Sequence, residues 1–416
     1  MKRTSLLIFC SLPAVLAGAS QAARAQESLV YSYESKGKGA YYAQAGVIQG
    51  ADGGLYGTTM DGGLYQQGTV YRIGIDAATG AVTQSVLHSF GAGPNDGLSP
   101  AAGLIQAADG NFYGTTWAGG AYGYGTVFRI EFDVATGKAN EKVLHSFNLD
   151  GRDGANPDAG LVQGSDGRLY GTTLGGGAFS DGTVFQIELE ASGVAAERVM
   201  HSFNGKAKDG TAPQAGLIQA SDGNFYGTTP YGGAHGANGY GTVFSMSVDA
   251  ATGSATEKVL HSFGATASDG QIPAGLVQGS DGKLYGLTSF GGAYGNGTAF
   301  QVAIDGSAGP AAERILHSFG GKASDGRQPA GSLVLATNGN FYGVTSSGGA
   351  DGDGTVFQLA AGGAAATEAV VYSFGASGAG DAVGPIGLVQ ASDANLYGAS
   401  AAGGTFGYGA IFRVVP

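Results

Sequence analysis

Five histidines recur at one repeat position, His88, His145, His201, His261 and His317, with Tyr31 and Tyr372 standing in register for two more. An imidazole can bind a metal or carry a proton, but ligands that share an ion must each come within about 2 Å of it. Residues this far apart in sequence meet only if a ring brings them to its axis. On a rim, each imidazole or phenol would instead make a hydrogen bond at its own edge.

A column of acids follows the same beat in a D-G-x-x-P-like string: Asp96, Asp153, Asp209, Asp269 and Asp325, with Asp381 as a weaker match. Carboxylates in Gly-rich loops can bind calcium, and "NLDGRDG", with Asp150 and Asp153, is the best local candidate. One carboxylate per loop falls short of the about six to eight oxygens that calcium takes. These acids therefore read as turn formers, and no cofactor or metal is expected. Gln49, Gln106, Gln163, Gln219, Gln278 and Gln390 form a further column, with Leu335 as its exception. They either line a channel or satisfy backbone groups where repeats meet.

The position after each Gly-Gly is the least expected for a loop. It holds Tyr65, Tyr122, Phe179, His235, Tyr294, Asp351 and Phe406, and the same loops carry Trp117, Tyr124, Tyr231, Tyr240, Phe290 and Tyr408. These rings either pack over bare glycine backbone or stand outward as stacking platforms for sugars or a partner's apolar patch. No serine nucleophile elbow, phosphate loop, zinc spacing or cysteine pair accompanies them.

The elements that hold these columns repeat with them. Tyr-Gly pairs begin at Tyr56, Tyr113, Tyr170, Tyr226, Tyr285, Tyr342 and Tyr397, at intervals of 57, 57, 56, 59, 57 and 55 residues. Each unit holds four strand-like segments, in the second unit "AAGLIQA", "NFYGTTW", "GTVFRIEFD" and "EKVLHSF". Phe128, Ile130 and Phe132 alternate with Val127, Arg129 and Glu131, the period of a strand. Asp opens and Gly closes the turns "DVATG" and "ADGN", as hairpins require. Four antiparallel strands per unit predict an all-β, seven-bladed β-propeller.

The last unit stops after its third strand, at "GAIFRVVP", and the missing fourth appears near the other end as "LVYSY", with Tyr31 57 residues before His88. An N-terminal strand that completes the last blade closes a ring. The split strand should then be the outer one, with "AGLIQ" innermost and its small Ala-Gly pairs facing the crowded axis. The opposite order, with "HSF" innermost, remains open. The aromatic loops and the "DG" loops are expected on one face of the disc.

The string G-x-[LF]-Y-G-T-T, then G-G, then G-T-V-F, stands here as Gly110 to Thr116, Gly119-Gly120 and Gly125 to Phe128. It resembles the GloVer tandem-repeat family of secreted bacterial proteins, over all seven units from about Leu29 to Pro416. The resemblance implies a propeller fold and export, and it implies no catalytic residues. The family's varied C-terminal anchors have no counterpart before Pro416, so release or periplasmic residence is expected.

Bulk properties agree with an exported binding module. Lys2 and Arg3, the apolar run Leu6 to Leu16 and Ala23-Arg24-Ala25 read as a secretory signal, residues 1–25, cleaved after Ala25. The mature domain, 26–416, then contains no cysteine, since Cys10 leaves with the leader. Among 416 residues 80 are Gly and 43% are hydrophobic, which points to many turns around real core segments. Net charge is −12, and −15 once Lys2, Arg3 and Arg24 are removed. Such a surface repels nucleic acid, and no later segment is apolar enough to span a membrane.

The expectation is a secreted or periplasmic, monomeric, non-catalytic module that binds extracellular carbohydrate or a surface protein through its aromatic loops. The competing expectation is a lyase or hydrolase working on an extracellular polymer at the central channel.

Overall fold

The computed structural model describes residues 27–416 except 35–38, 77, 190–194, 206–208, 237–238, 250, 305–312, 361–367, 376–377 and 379. The leader, its cleavage site and Cys10 lie outside these residues. Among the described residues the strands form seven four-stranded antiparallel sheets. In the second blade they run Ile105–Gln106, Phe112–Thr116, Thr126–Asp133 and Lys138–Ser146 from the axis outward.

The seventh blade takes three strands from one end of the chain, Ala382–Gln390, Leu396–Gly403 and Ala410–Val414, and its outer strand, Glu27–Ser32, from the other. Glu27 pairs with Val414 and Ser32 with Ala410. The ring closes as expected, and the seven Ala-Gly-type segments surround the axis. The "HSF" segments are outermost.

Blades hold one another through both faces of their sheets, which is why the third strand reads T-V-F and not as a simple alternation. Val127, Phe128 and Ile130 are all fully buried. Phe90 follows the first blade's outer strand, Val82–Ser89, and sits edge-on to Phe128 of the second, with ring centroids 5.0 Å apart. The pattern returns as Phe147 on Phe185, Phe203 on Phe244, Phe263 on Phe300, Phe319 on Phe357 and Phe374 on Phe412. Each buried ring contributes about 1.5–3 kcal/mol of transfer free energy.

The Tyr-Gly pair has two separate causes. The Tyr113 hydroxyl donates to Asp109 Oδ2 at 2.7 Å and locks the turn between the first two strands. Gly114 must be glycine because a Cβ there would lie 2.6 Å from Phe128 Cζ and 2.9 Å from Leu104 Cδ2.

The seventh junction differs. Where six junctions pair phenylalanines, Tyr33 and Tyr71 meet edge-on and join hydroxyl to hydroxyl at 2.6 Å, both fully buried. The strand that must find its place across the ring thus carries its own pairing mark.

Candidate functional site

The loops between second and third strands are held by backbone more than by side chains. In the second blade Gly119 pairs with Gly97 and Ala118 with Leu98, so the loop forms a small ladder with the segment entering the blade. Gly119 and Gly120 have φ of +81° and +76°, and a Cβ on Gly119 would strike the Asp96 carbonyl at 2.5 Å.

One residue in each entering segment is left-handed: Tyr42, Ser99, Asn156, Ala212, Ile272, Gln328 and Gly384, with φ between +53° and +63°. In six of them the amide donates to the aromatic loop of the preceding blade. Ser99 donates to Gln67 O, Asn156 to Tyr124 O and Ile272 to Tyr240 O. Six of the seven loops are thereby fastened to their neighbours. A β-branched residue is strained in this region, and the equivalent Gly384 is not. Ile272→Gly is expected to raise stability by about 1 kcal/mol, read as a higher urea midpoint with an unchanged slope; a lower midpoint would show that Ile272 packing outweighs the strain.

Mounted on these loops, Tyr240 and Tyr294 have one side covered and one side open. A Cβ on Gly264 would meet the Tyr240 ring at 2.1 Å, and one on Gly321 would meet the Tyr294 ring at 2.8 Å. Tyr240 and Tyr294 therefore cover glycine in the loop that leaves their own blade. Tyr122 and Tyr294 nevertheless stay 62% and 58% exposed, and Phe179 and Phe406 exceed half. Tyr65, Trp117, Tyr231, Tyr240, Phe290 and Tyr408 are also exposed, while Tyr124 and His235 are half-buried. Tyr41 and Tyr408 meet edge-on at 5.9 Å and carry the aromatic band across the closing junction.

The "DG" loops divide between the two faces. Those that enter a blade, such as Asp96-Gly97 and Asp153-Gly154, pair with the aromatic loops and share their face. The "DG" turns between the first two strands, such as Asp109-Gly110, lie at the opposite end, because an antiparallel meander alternates its turns. There Asp166 and Arg168 share a surface cleft with Asp249 and Thr252 of the next blade.

The glutamine column seals blade junctions and does not line the channel. Gln106 accepts the Ala51 amide of the preceding blade at 2.8 Å and donates to Gly110 O of its own turn at 2.9 Å. Gln49 does the same across the closure, taking the Ser392 amide at 2.8 Å.

The histidines and aspartates meet at the rim with a third partner that the sequence reading passed over. His145 Nε2 lies 3.0 Å from Asp153 Oδ2, and Glu197 of the next blade's outer strand completes the cluster. The same trio forms from His88, Asp96 and Glu141, from His201, Asp209 and Glu257, from His261, Asp269 and Glu313, and from His317, Asp325 and Glu368, with donor atoms within 4.8 Å of one another. The aspartates are also turn acceptors, as expected: Asp153 takes the amides of Asn148 and Gly154.

Burial pushes the glutamate carboxyls up, and the facing aspartate adds to it, so Glu197 and Glu257 titrate near about 7 and Glu313 near about 8. Glu141 and Glu27 also reach about 7, again mainly through burial. A protonated glutamic acid facing an ionised aspartate is the resulting arrangement.

At the sixth junction Tyr372 replaces histidine and its hydroxyl donates to Asp381 at 3.2 Å, with Glu27 alongside. At the closure all three members change together, to Tyr31, Gly39 and Gln84, and Tyr31 donates to Gln84 Oε1 at 3.0 Å. When the aspartate is lost, the acid facing it becomes its neutral isostere. The signal was present in sequence as the glutamate four residues before four of the five "HSF" histidines, as in "EKVLHSF" and "ERVMHSF".

Fold and junctions define a seven-bladed propeller closed by its N-terminal strand. The chain belongs to the Gloeobacter/Verrucomicrobia repeat family, whose pattern it matches over residues 20–237 and 234–416. Among curated proteins none matches it. Similar solved structures include a candidate 6-phosphogluconolactonase from Bacteroides uniformis, at 15% identity and TM-score 0.49 over 79% of this chain and 84% of that one. A protein of unknown function from Dyadobacter fermentans matches at 10% identity and TM-score 0.47, over 94% and 98%. At such values the likenesses carry no functional argument. Among the described residues no helix is long and apolar enough to cross a membrane.

Proposed function

We propose that this is an exported, non-catalytic binding module that holds extracellular carbohydrate on its aromatic face. The observation that carries the reading is the mounting of the rings. Left-handed backbone ties six of their loops to the next blade and Tyr294 lies over Gly321, yet Tyr122, Phe179, Tyr294 and Phe406 are more than half exposed. Rigid, half-open aromatic rings suit stacking on the apolar faces of sugars, and little side-chain freedom is lost on binding. The acidic charge favours neutral or cationic polymers over anionic ones. The enzymatic alternative is weaker, because the channel lining supplies one carboxylate where glycoside hydrolysis commonly uses two.

Trp117, the sole tryptophan, reports on this face. A saturable change in its emission is expected with a neutral or amino polysaccharide. Tyr122→Ala should weaken that response at least tenfold without lowering the melting temperature. A flat response across such a panel would exclude the carbohydrate reading and direct attention to protein partners.

A further inference from the structure

The axis of the ring encloses a cavity of about 470 Å³. Its wall is built on the small Ala-Gly pairs of the inner strands, with aliphatic side chains such as Val47, Ile272, Leu333 and Ile386 between them. One ionisable side chain lines it, Asp158. The turn-forming Asp153 is engaged by backbone amides and His145. Asp158 has no hydrogen-bond or ion-pair partner among the described residues, although burial alone raises its carboxyl to about 6.

The repeat makes the acid conspicuous. The residue after the proline of D-G-x-x-P is Ala101, Ala274, Ala330 or Ile386 in four other units, Gln214 in the adjacent blade, and Gln44 at the same place in the first. Six units show that the fold needs no acid here. Asp158 also makes no turn bond that would explain it.

We infer that the axial cavity is a subsite for a sugar residue bearing a free amine, with Asp158 as the acceptor for the ammonium group. A partly buried carboxylate without a protein partner gains most from a charged donor. Gln214 and Gln44 offer amides to hydroxyl groups, and the volume lies in the range of small-ligand sites. This rests on the carbohydrate reading above and narrows it to amino sugars. Among the described residues no other ionisable group lines the cavity, so the protein's part of the subsite's pH response belongs to Asp158.

The test is calorimetric titration of the mature protein with glucosamine oligomers and with N-acetylglucosamine oligomers of equal length. Free-amine oligomers are expected to bind about tenfold more tightly at pH 7, and the preference should vanish at pH 5, where Asp158 is protonated. Asp158→Asn should abolish the preference while leaving the melting temperature unchanged. Tyr122→Ala should weaken both ligands alike and leave the preference intact. Equal binding of both oligomers, or a preference that survives Asp158→Asn, would overturn the subsite while leaving the aromatic face standing. Failure of both oligomers to bind, with neutral polysaccharides still shifting Trp117 emission, would do the same; failure of all of them would remove the carbohydrate reading itself.

Discussion

Raising the pH from about 5.5 to about 9 is expected to lower the melting temperature by about 5 °C or more. The cause is the row of glutamic acids at the blade junctions. Glu27, Glu141, Glu197 and Glu257 hold their protons to about 7, and Glu313 to about 8, against an ordinary 4.5. A group that binds its proton more tightly folded than unfolded contributes stability that is complete below its unfolded value. That contribution fades as pH climbs through the folded one, here between about 4.5 and 8.

Undiscounted, each site would be worth about 3 kcal/mol. Partial exposure and solvent screening reduce this to on the order of 1 kcal/mol, repeated around the ring. The aspartates act in the other direction but in a lower window. Burial tends to raise Asp269, yet contacts with His261 and Glu313 and the Ala265 amide outweigh it and hold the carboxyl at about 2. Such groups cost stability only in more acid solution. The triple variant Glu141→Gln, Glu197→Gln and Glu257→Gln copies what Gln84 already does at the closure. It should flatten the profile and melt above the wild type at pH 9. A wild-type melting temperature that is level or rising over this range would refute the protonated-acid account.

The second large effect is expected at the closing junction. Tyr33→Phe leaves the Tyr71 hydroxyl buried without its partner at 2.6 Å, which costs about 1–3 kcal/mol, and Tyr71→Phe should cost the same. The double variant restores the phenylalanine pair found at the other six junctions. Replacing both partners by rings of the same shape is nearly neutral, so the cycle should show a coupling of about 1–3 kcal/mol by urea denaturation. Tyr33→Ala, which empties a fully buried site, should cost about 3–5 kcal/mol. Additive single substitutions would mean that the hydroxyl pair is incidental.

Much of the architecture was legible because each unit states it again. The Tyr-Gly intervals marked the blades, and the displaced "LVYSY" identified both the closure and the outer strand. The roles of His145 and Asp153 were legible only singly. Their third partner, Glu197, lies in the following repeat and comes near only when two blades stack. On its own strand it looks like one more alternating polar residue. The face of each "DG" turn was read too simply, because two turns with the same residues serve opposite ends of the blade. The left-handed position held by Ile272 had no signal at all, since six different residue types and one glycine occupy it. Asp158 could have been found by aligning the residue after each proline.

The outer strand of the seventh blade bears on how fast the molecule forms. Ser32 Oγ donates to Thr405 Oγ1, joining residues 373 positions apart, whereas the blades themselves are built from neighbouring hairpins. Blades can therefore assemble in milliseconds as local units, while the last junction waits on a chain-wide encounter whose entropy cost grows with the logarithm of the loop. Until then an open arc presents unpaired strand edges at Ala410–Val414 and Glu27–Ser32, the stretch most exposed to pairing with another chain. Refolding yield should consequently fall with protein concentration far more steeply than stability does.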